Sequence, residues 1–220
     1  MSWVATERFE ARTAPAGLAL VQELVNTHAV ARGGLDLLTW RTSAEEWLRG
    51  AAREWARSRR LDPPELSLFQ ADLEALRDLR AIVEKMLAVP VGERPAGMVG
   101  TSAGFEQRAQ VSLVSSDEGQ VEMVPFGAGS RWLESAVWSE ILLAQRAGTW
   151  SQLKLCREPG CRSAFYDASR NGSGVWHNVR TCGNLANLRA SRIRKKTRTS
   201  ADGGADPGPE PANPQDAPPT

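Results

Sequence analysis

Cys156, Cys161, His177 and Cys182 follow one another as Cys-x4-Cys-x15-His-x4-Cys. Two close pairs of soft or borderline donors separated by a loop are what a tetrahedral zinc ion requires. A closed set of four protein ligands leaves no position for a reacting water, so the expected role of zinc is structural. The chain has three cysteines, and all of them lie in this stretch. An odd count argues against a disulfide framework, and thiolates reserved for metal suit a reducing cytoplasm. Cysteines are often buried as small hydrophobes instead, but the neighbours here are Arg, Glu, Gly and Asn. Pro159-Gly160 favours a tight turn that folds Cys156 and Cys161 toward one point. Asp167 is the carboxylate that could replace His177.

Electrostatics point to a partner for this site. Residues 151–198 carry 11 Lys or Arg against 2 Asp or Glu, whereas the chain as a whole has a net charge of only +1. Arg180, Arg189, Arg192, Arg194, Lys195 and Lys196 follow or flank the last ligands, and a basic block of this kind points to a polyanion. Cations that neutralise phosphates release counterions, while arginine can also pair with guanine edges. Double-stranded DNA is the expected partner. The bland alternative is a solvated, charged helix.

Other elements must hold the site in place. Apolar positions from Gly17 to Arg32 predict a first helix that Gly33-Gly34 would end. Ser43-x-x-Glu46 reads as a capping box for a second helix running to Ser58, ahead of Pro63-Pro64. Ser67-x-x-Gln70 would cap a third, with Leu73, Leu76, Leu79, Ile82, Val83, Met86 and Leu87 at helical spacing and Pro90 as its stop. Residues 91–107 read as loop with one short helix. Residues 110–114 and 121–126 flank a turn and predict a β-hairpin. A fourth helix over 131–146 would bury Leu133, Val137, Trp138, Ile141 and Leu142. The finger then begins near Gln152. The segment after Cys182 predicts a helix with Leu185, Leu188 and Ile193 inward and Arg189, Arg192 and Lys196 outward. Residues 199–220 are acidic and rich in Pro and Ala, which predicts disorder. The fold class is therefore α+β, mostly helical, with a small C-terminal zinc finger.

The motif Cys-x4-Cys, followed by Phe165-Tyr166, Asp167-x-Ser169-Arg170-Asn171, Trp176 and Cys182-Gly183-Asn184, resembles the finger of the bacterial CGNR zinc-finger proteins. In that family the finger follows a domain called ABATE. Residues 14–150 resemble it through Leu18-Ala19-Leu20, Val25-Asn26-Thr27, Asp36-Leu37-Leu38, the Trp47-Leu48 helix and the Leu-rich third helix. The resemblance implies transcription regulation, with a DNA-binding finger over 151–198 that adds Arg170 and Asn171 to the contacts, and a sensor domain that takes a small-molecule effector. Three departures stand out. His177 occupies a place that is usually cysteine, Leu185 replaces the arginine that completes the name motif, and Gly172 and Gly174 lie in a loop usually richer in arginine.

Asn26-Thr27 and the adjacent His28 are candidate ligand contacts, with structural roles as the plainer reading. Glu45-Glu46 fit a helix first turn without chemistry. Trp40, Trp47, Trp55, Trp132 and Trp138 are expected in the core. No Ser/His/Asp set or phosphate loop is visible, so no enzymatic activity is expected. The competing readings are a finger that docks protein or RNA, and a small-molecule-binding protein with its pocket in the N-terminal domain. No apolar run is long enough to span a bilayer, and the N-terminus lacks the apolar core of a signal peptide, so a cytoplasmic location without membrane contact is expected. A single finger has a short footprint, so a homodimer is the geometric expectation.

Overall fold

A computed structural model describes residues 2–30, 33–94 and 109–202. The helical part comprises α1 (Val4–Glu7), α2 (Leu18–Val25), α3 (Arg41–Arg59), α4 (Asp72–Ala88) and α5 (Gly129–Arg146). Between α4 and α5 lies an antiparallel hairpin of β1 (Val111–Ser115) and β2 (Val121–Pro125), with Leu113 opposite Met123. A second hairpin, β3 (Leu153–Leu155) and β4 (Ala164–Tyr166), precedes the C-terminal helix α6 (Asn184–Asp202). The tail expected to be disordered is helical to Asp202, and residues 203–220 lie outside the described set. Among the described residues no helix is long and apolar enough to cross a membrane.

Helix α2 is the centre of the molecule. All eight of its residues are buried, and it touches α1, α3, α4, α5 and β4. A helix with apolar residues on every side belongs inside a core, and α2 is buried all round, Gln22 and Glu23 included, where a one-sided face was expected. Its length also differs from the expectation. The chain leaves the helix at Asn26, and Thr27 Oγ1 bonds back to the Leu24 carbonyl at 2.7 Å. Gly33 and Gly34 lie beyond, in a turn closed by the Val30–Gly34 bridge.

Two polar residues within α2 organise its neighbours. Glu23 is buried and accepts the N–H groups of Ala5 at 2.7 Å and Thr6 at 2.9 Å, plus the Trp47 indole at 3.3 Å. It thereby pins α1 and α3 to the core, while burial pushes its carboxyl above the usual range against those hydrogen bonds. Gln22 accepts from Ala14 N at 2.7 Å and donates to the carbonyls of Arg12 and Ala164.

Helices α3 and α4 present the expected apolar stripes, including Trp47, Leu48 and Trp55 in one and Leu73, Leu76 and Val83 in the other. Both start elsewhere than the expected capping boxes. Ser43 lies inside α3, donating to the Leu37 and Trp40 carbonyls, each at 2.9 Å. At α4 the residue before the helix is Ala71, which makes no side-chain cap, and Asp72 Oδ2 reaches back to accept Phe69 N at 2.7 Å. Trp55 and Trp132 meet edge to face at 5.4 Å in the core, whereas Trp40 is 66% exposed at the start of α3 and Leu142 is exposed on α5.

The core runs through the expected boundary at 150–151. Trp150, Leu153 and Ala164 belong to the same cluster of buried residues as α2 to α5.

Candidate metal centre

The finger is built on the β3–β4 hairpin, whose tip carries the first ligand pair. Cys156 N donates to the Ser163 carbonyl at 2.8 Å, and Cys161 N to the Glu158 carbonyl at 2.9 Å. This folds Arg157 to Gly160 into the turn expected from Pro159-Gly160. Arg162 then adopts a left-handed backbone, φ 57°, which returns the chain to β4.

The second pair comes from the loop and turn that follow. Arg157 N donates to the Val175 carbonyl at 3.0 Å, carrying the chain back past the knuckle to His177. Asn178 then caps a π-helical turn, Val179–Gly183, its Oδ1 accepting Arg180 N at 2.9 Å and Thr181 N at 3.3 Å. Cys182 sits within this turn rather than at the start of α6. Gly183 packs closely there, since a Cβ would come to 3.3 Å from the Trp176 and Val179 side chains.

The four ligand atoms, three Sγ and one imidazole nitrogen, all lie within 4.8 Å of one another. His177 Nδ1 is 3.2 Å from Cys161 Sγ and 3.6 Å from Cys182 Sγ. Zn–S bonds of about 2.3 Å and a Zn–N bond of about 2.0 Å give tetrahedral edges of roughly 3.5–3.8 Å. The cluster is therefore close to the size zinc demands, and none of the cysteines is in a disulfide.

Charge supports the fit. Left to themselves, the three sulfurs ionise unevenly. The Cys156 thiol is lowered to about 4 by hydrogen bonds from the Cys161 thiol and from His177, together with the N–H of Glu158. Cys161 is pushed far up because it donates to Cys156, and burial adds to the rise. Burial and then the charge on Cys156 push Cys182 up. Like charges this close cannot all form unless a cation joins them. A divalent ion removes that repulsion, so the donor set suits a structural zinc held by Cys156, Cys161, His177 and Cys182.

Asp167 is not at this cluster. It is buried and accepts from Lys154 Nζ at 2.6 Å, Gly174 N at 2.8 Å and Ser169 N at 3.0 Å. Burial opposes its ionisation, but these partners outweigh it and hold the carboxyl well below the usual range. Gly174 now has a reason of its own, since a Cβ there would stand 2.8 Å from the Asp167 carboxyl.

The expected ligand contacts Asn26 and Thr27 are fully buried. Asn26 Oδ1 accepts Ala164 N at 2.8 Å, and its Nδ2 donates to the Ala164 carbonyl at 3.0 Å. Thr27 Oγ1 accepts from Arg80 at 2.8 Å, and Arg80 pairs with Asp36. His28 bonds Glu84, which also pairs with Arg162 next to Cys161. Asn26 and the His28–Glu84–Arg162 chain tie the finger to the helices, whereas Thr27 ties the end of α2 to α4. Glu84, Arg162 and Gln22 had escaped sequence reasoning. The one available signal was the polar pair Gln22-Glu23 inside an apolar helical run.

The expected nucleic-acid residues divide into two groups. Arg170 and Asn171 are exposed on the loop after β4, and Arg180, Arg192, Arg194 and Lys195 are exposed on or beside α6. Arg189 is different, because it forms an ion pair with Glu158 in the knuckle turn. The Lys196 side chain lies outside the described set. The apolar side of α6 faces outward, not inward, with Leu185 48%, Leu188 54% and Ile193 67% exposed. The helix leaves the metal turn as a rod, and in its first turns Arg189 ties it to the finger.

No curated protein matches the chain. Over residues 152–195, which contain all four ligands, the chain matches the family model of the CGNR zinc finger.

Proposed function

We propose that this protein binds duplex DNA through the finger and α6 and acts as a transcription regulator, with the N-terminal helices serving as an ABATE-like sensor. The observation that carries this reading is the exposed basic run Arg192, Arg194 and Lys195 on a helix that starts at the metal centre. A metal-staked start fixes the direction of the rod, so its cations can meet a phosphate backbone together rather than one by one. Arg180 extends the same surface toward the metal turn. Zinc holds this geometry and takes no part in bond making. Two copies on a two-fold site would extend the footprint of the single finger.

The test is fluorescence anisotropy of a mixed-sequence duplex with zinc-loaded protein over a salt series. If four cations meet phosphates, log affinity falls with log salt at a slope of about −3.6. Replacing Arg192 and Arg194 with Ala flattens the slope by about 1.8. A slope near zero, or equal affinity in the double variant, refutes the reading.

A further inference from the structure

The β1–β2 hairpin rests on the helical body through one strand. Strand β2 packs against α5, whereas β1, among the described elements, has β2 as its one substantial neighbour. The register settles which backbone groups are committed. Ser116 N donates to the Gln120 carbonyl at 2.8 Å, and Ser115 lies opposite Val121. Along an antiparallel strand, residues alternate between bonding their partner and pointing away from it. Ser112 and Val114 therefore give their N–H and C=O groups to β2. At the open end, Ser135 Oγ bridges the Gln110 carbonyl and Phe126 N, which continues the inward set. Val111, Leu113 and Ser115 point theirs outward, and no described group meets them.

An open edge is a template for another strand, and proteins blunt such edges with charge or proline. The two edges of this hairpin differ in that respect. Strand β2 carries Glu122 and Pro125, and proline has no N–H to give to a ladder. From Ala109 to Ser116 the chain has neither a charge nor a proline. Leu113, in the middle of β1, is 69% exposed, and Val121 on the same face is 66% exposed.

We infer that two copies of this chain pair through β1, edge to edge and antiparallel, about a two-fold axis at Leu113. A two-fold contact needs a patch that complements itself, and this strand meets that condition. Leu113 faces the same residue of the second copy, Val111 faces Ser115, and Ser112 faces Val114. The outward-pointing residues then exchange N–H and C=O groups across the axis, so each open group of β1 gains a partner. No like charges meet in this register. The product is a four-stranded sheet ordered β2-β1-β1-β2, which gives the hairpin the further strands that a lone pair lacks. The inference does not rest on DNA binding, and its test contains no DNA.

Sedimentation equilibrium of the zinc-loaded full chain is recorded across the micromolar range. The mass rises with concentration from the 23.9 kDa monomer toward twice that value. Leu113→Lys sets like charges against each other at the axis and raises the dissociation constant about tenfold or more. Its zinc and helix content stay at wild-type level, because the side chain is exposed in the single copy. Leu188→Lys, on the exposed side of α6, leaves the dimer intact and so separates the two apolar surfaces. Amide exchange followed by NMR reads the register. Ser112 and Val114 are protected at every concentration, whereas Val111, Leu113 and Ser115 are protected only where the dimer is populated. A chain that stays monomeric overturns the inference. So does a dimer that survives Leu113→Lys or is lost in Leu188→Lys, or exchange at the outer amides that ignores concentration.

Discussion

Asp167 illustrates how one residue can be legible in type and not in place. Its carboxyl, close to the ligands in sequence, reads as a reserve ligand, yet it sits on the other side of the knuckle, holding Lys154 and the loop that returns the chain to His177. Sequence distance carried no information about where the chain just past β4 would turn it. Its folded carboxyl titrates below its unfolded value of about 3.9. The stabilisation it provides is therefore complete above that value and is lost as pH falls toward the folded one. In urea melts of wild type and Asp167→Asn, the gap between the two midpoints is constant at neutral and mildly acidic pH. Below about pH 4 it closes. Comparing the two proteins at each pH cancels the loss of zinc that acid causes in both. A gap that persists at low pH refutes this assignment.

At the scale of elements, the stretches with strong periodicity or turn chemistry were legible. Helix α4 and the β1–β2 hairpin fall close to where their patterns place them, because apolar spacing and a Ser-Asp-Glu-Gly turn act locally. Helix starts were not: Ser43 and Ser67 have the right type for caps, but the helices begin after Trp40 and Ala71 with no side-chain cap, and the Ser43 hydroxyl turns to the Leu37 and Trp40 carbonyls. The exposed stripe on α6 shows the same limit: periodicity finds an apolar face but cannot name what covers it. The junction of α2 with β4 offers the sharpest test. In Asn26→Ala the Ala164 carbonyl keeps Gln22, while the Ala164 N–H loses its acceptor inside the core. A buried group left unpaired costs about 1–3 kcal/mol, to be read from urea unfolding of zinc-loaded protein. Asn26→Asp is expected to be worse, because it sets a carboxylate oxygen against the Ala164 carbonyl. If Asn26→Ala is neutral, the clasp is not what holds the finger to α2.

At the scale of the whole molecule, the four ligands sit on a hairpin whose Leu153 and Ala164 belong to the helical core. The ligand spacing made the metal site readable from the chain alone, because zinc imposes its own geometry on any sequence that supplies donors. The union of finger and core was hidden, since it runs through the backbone of Ala164 and through charged groups that are far apart in sequence. Its consequence is measurable. Cys182→Ala removes one of four ligands, and metal analysis of the purified variant is expected to show zinc lost. Its thermal melt is expected to drop as a single transition that includes the tryptophan core. Retention of full metal content, or a core melting at the wild-type temperature, counts against this coupling.

The Asn26–Ala164 clasp also bears on how such proteins can be recombined. A graft cut at residue 150 would carry β4 away from the amide that reads its backbone, leaving one unsatisfied polar site in the donor fragment and another in the recipient. Chimeras should therefore exchange α2 and the knuckle as a matched set, and the unit of inheritance at this junction is the pair of segments rather than the finger alone.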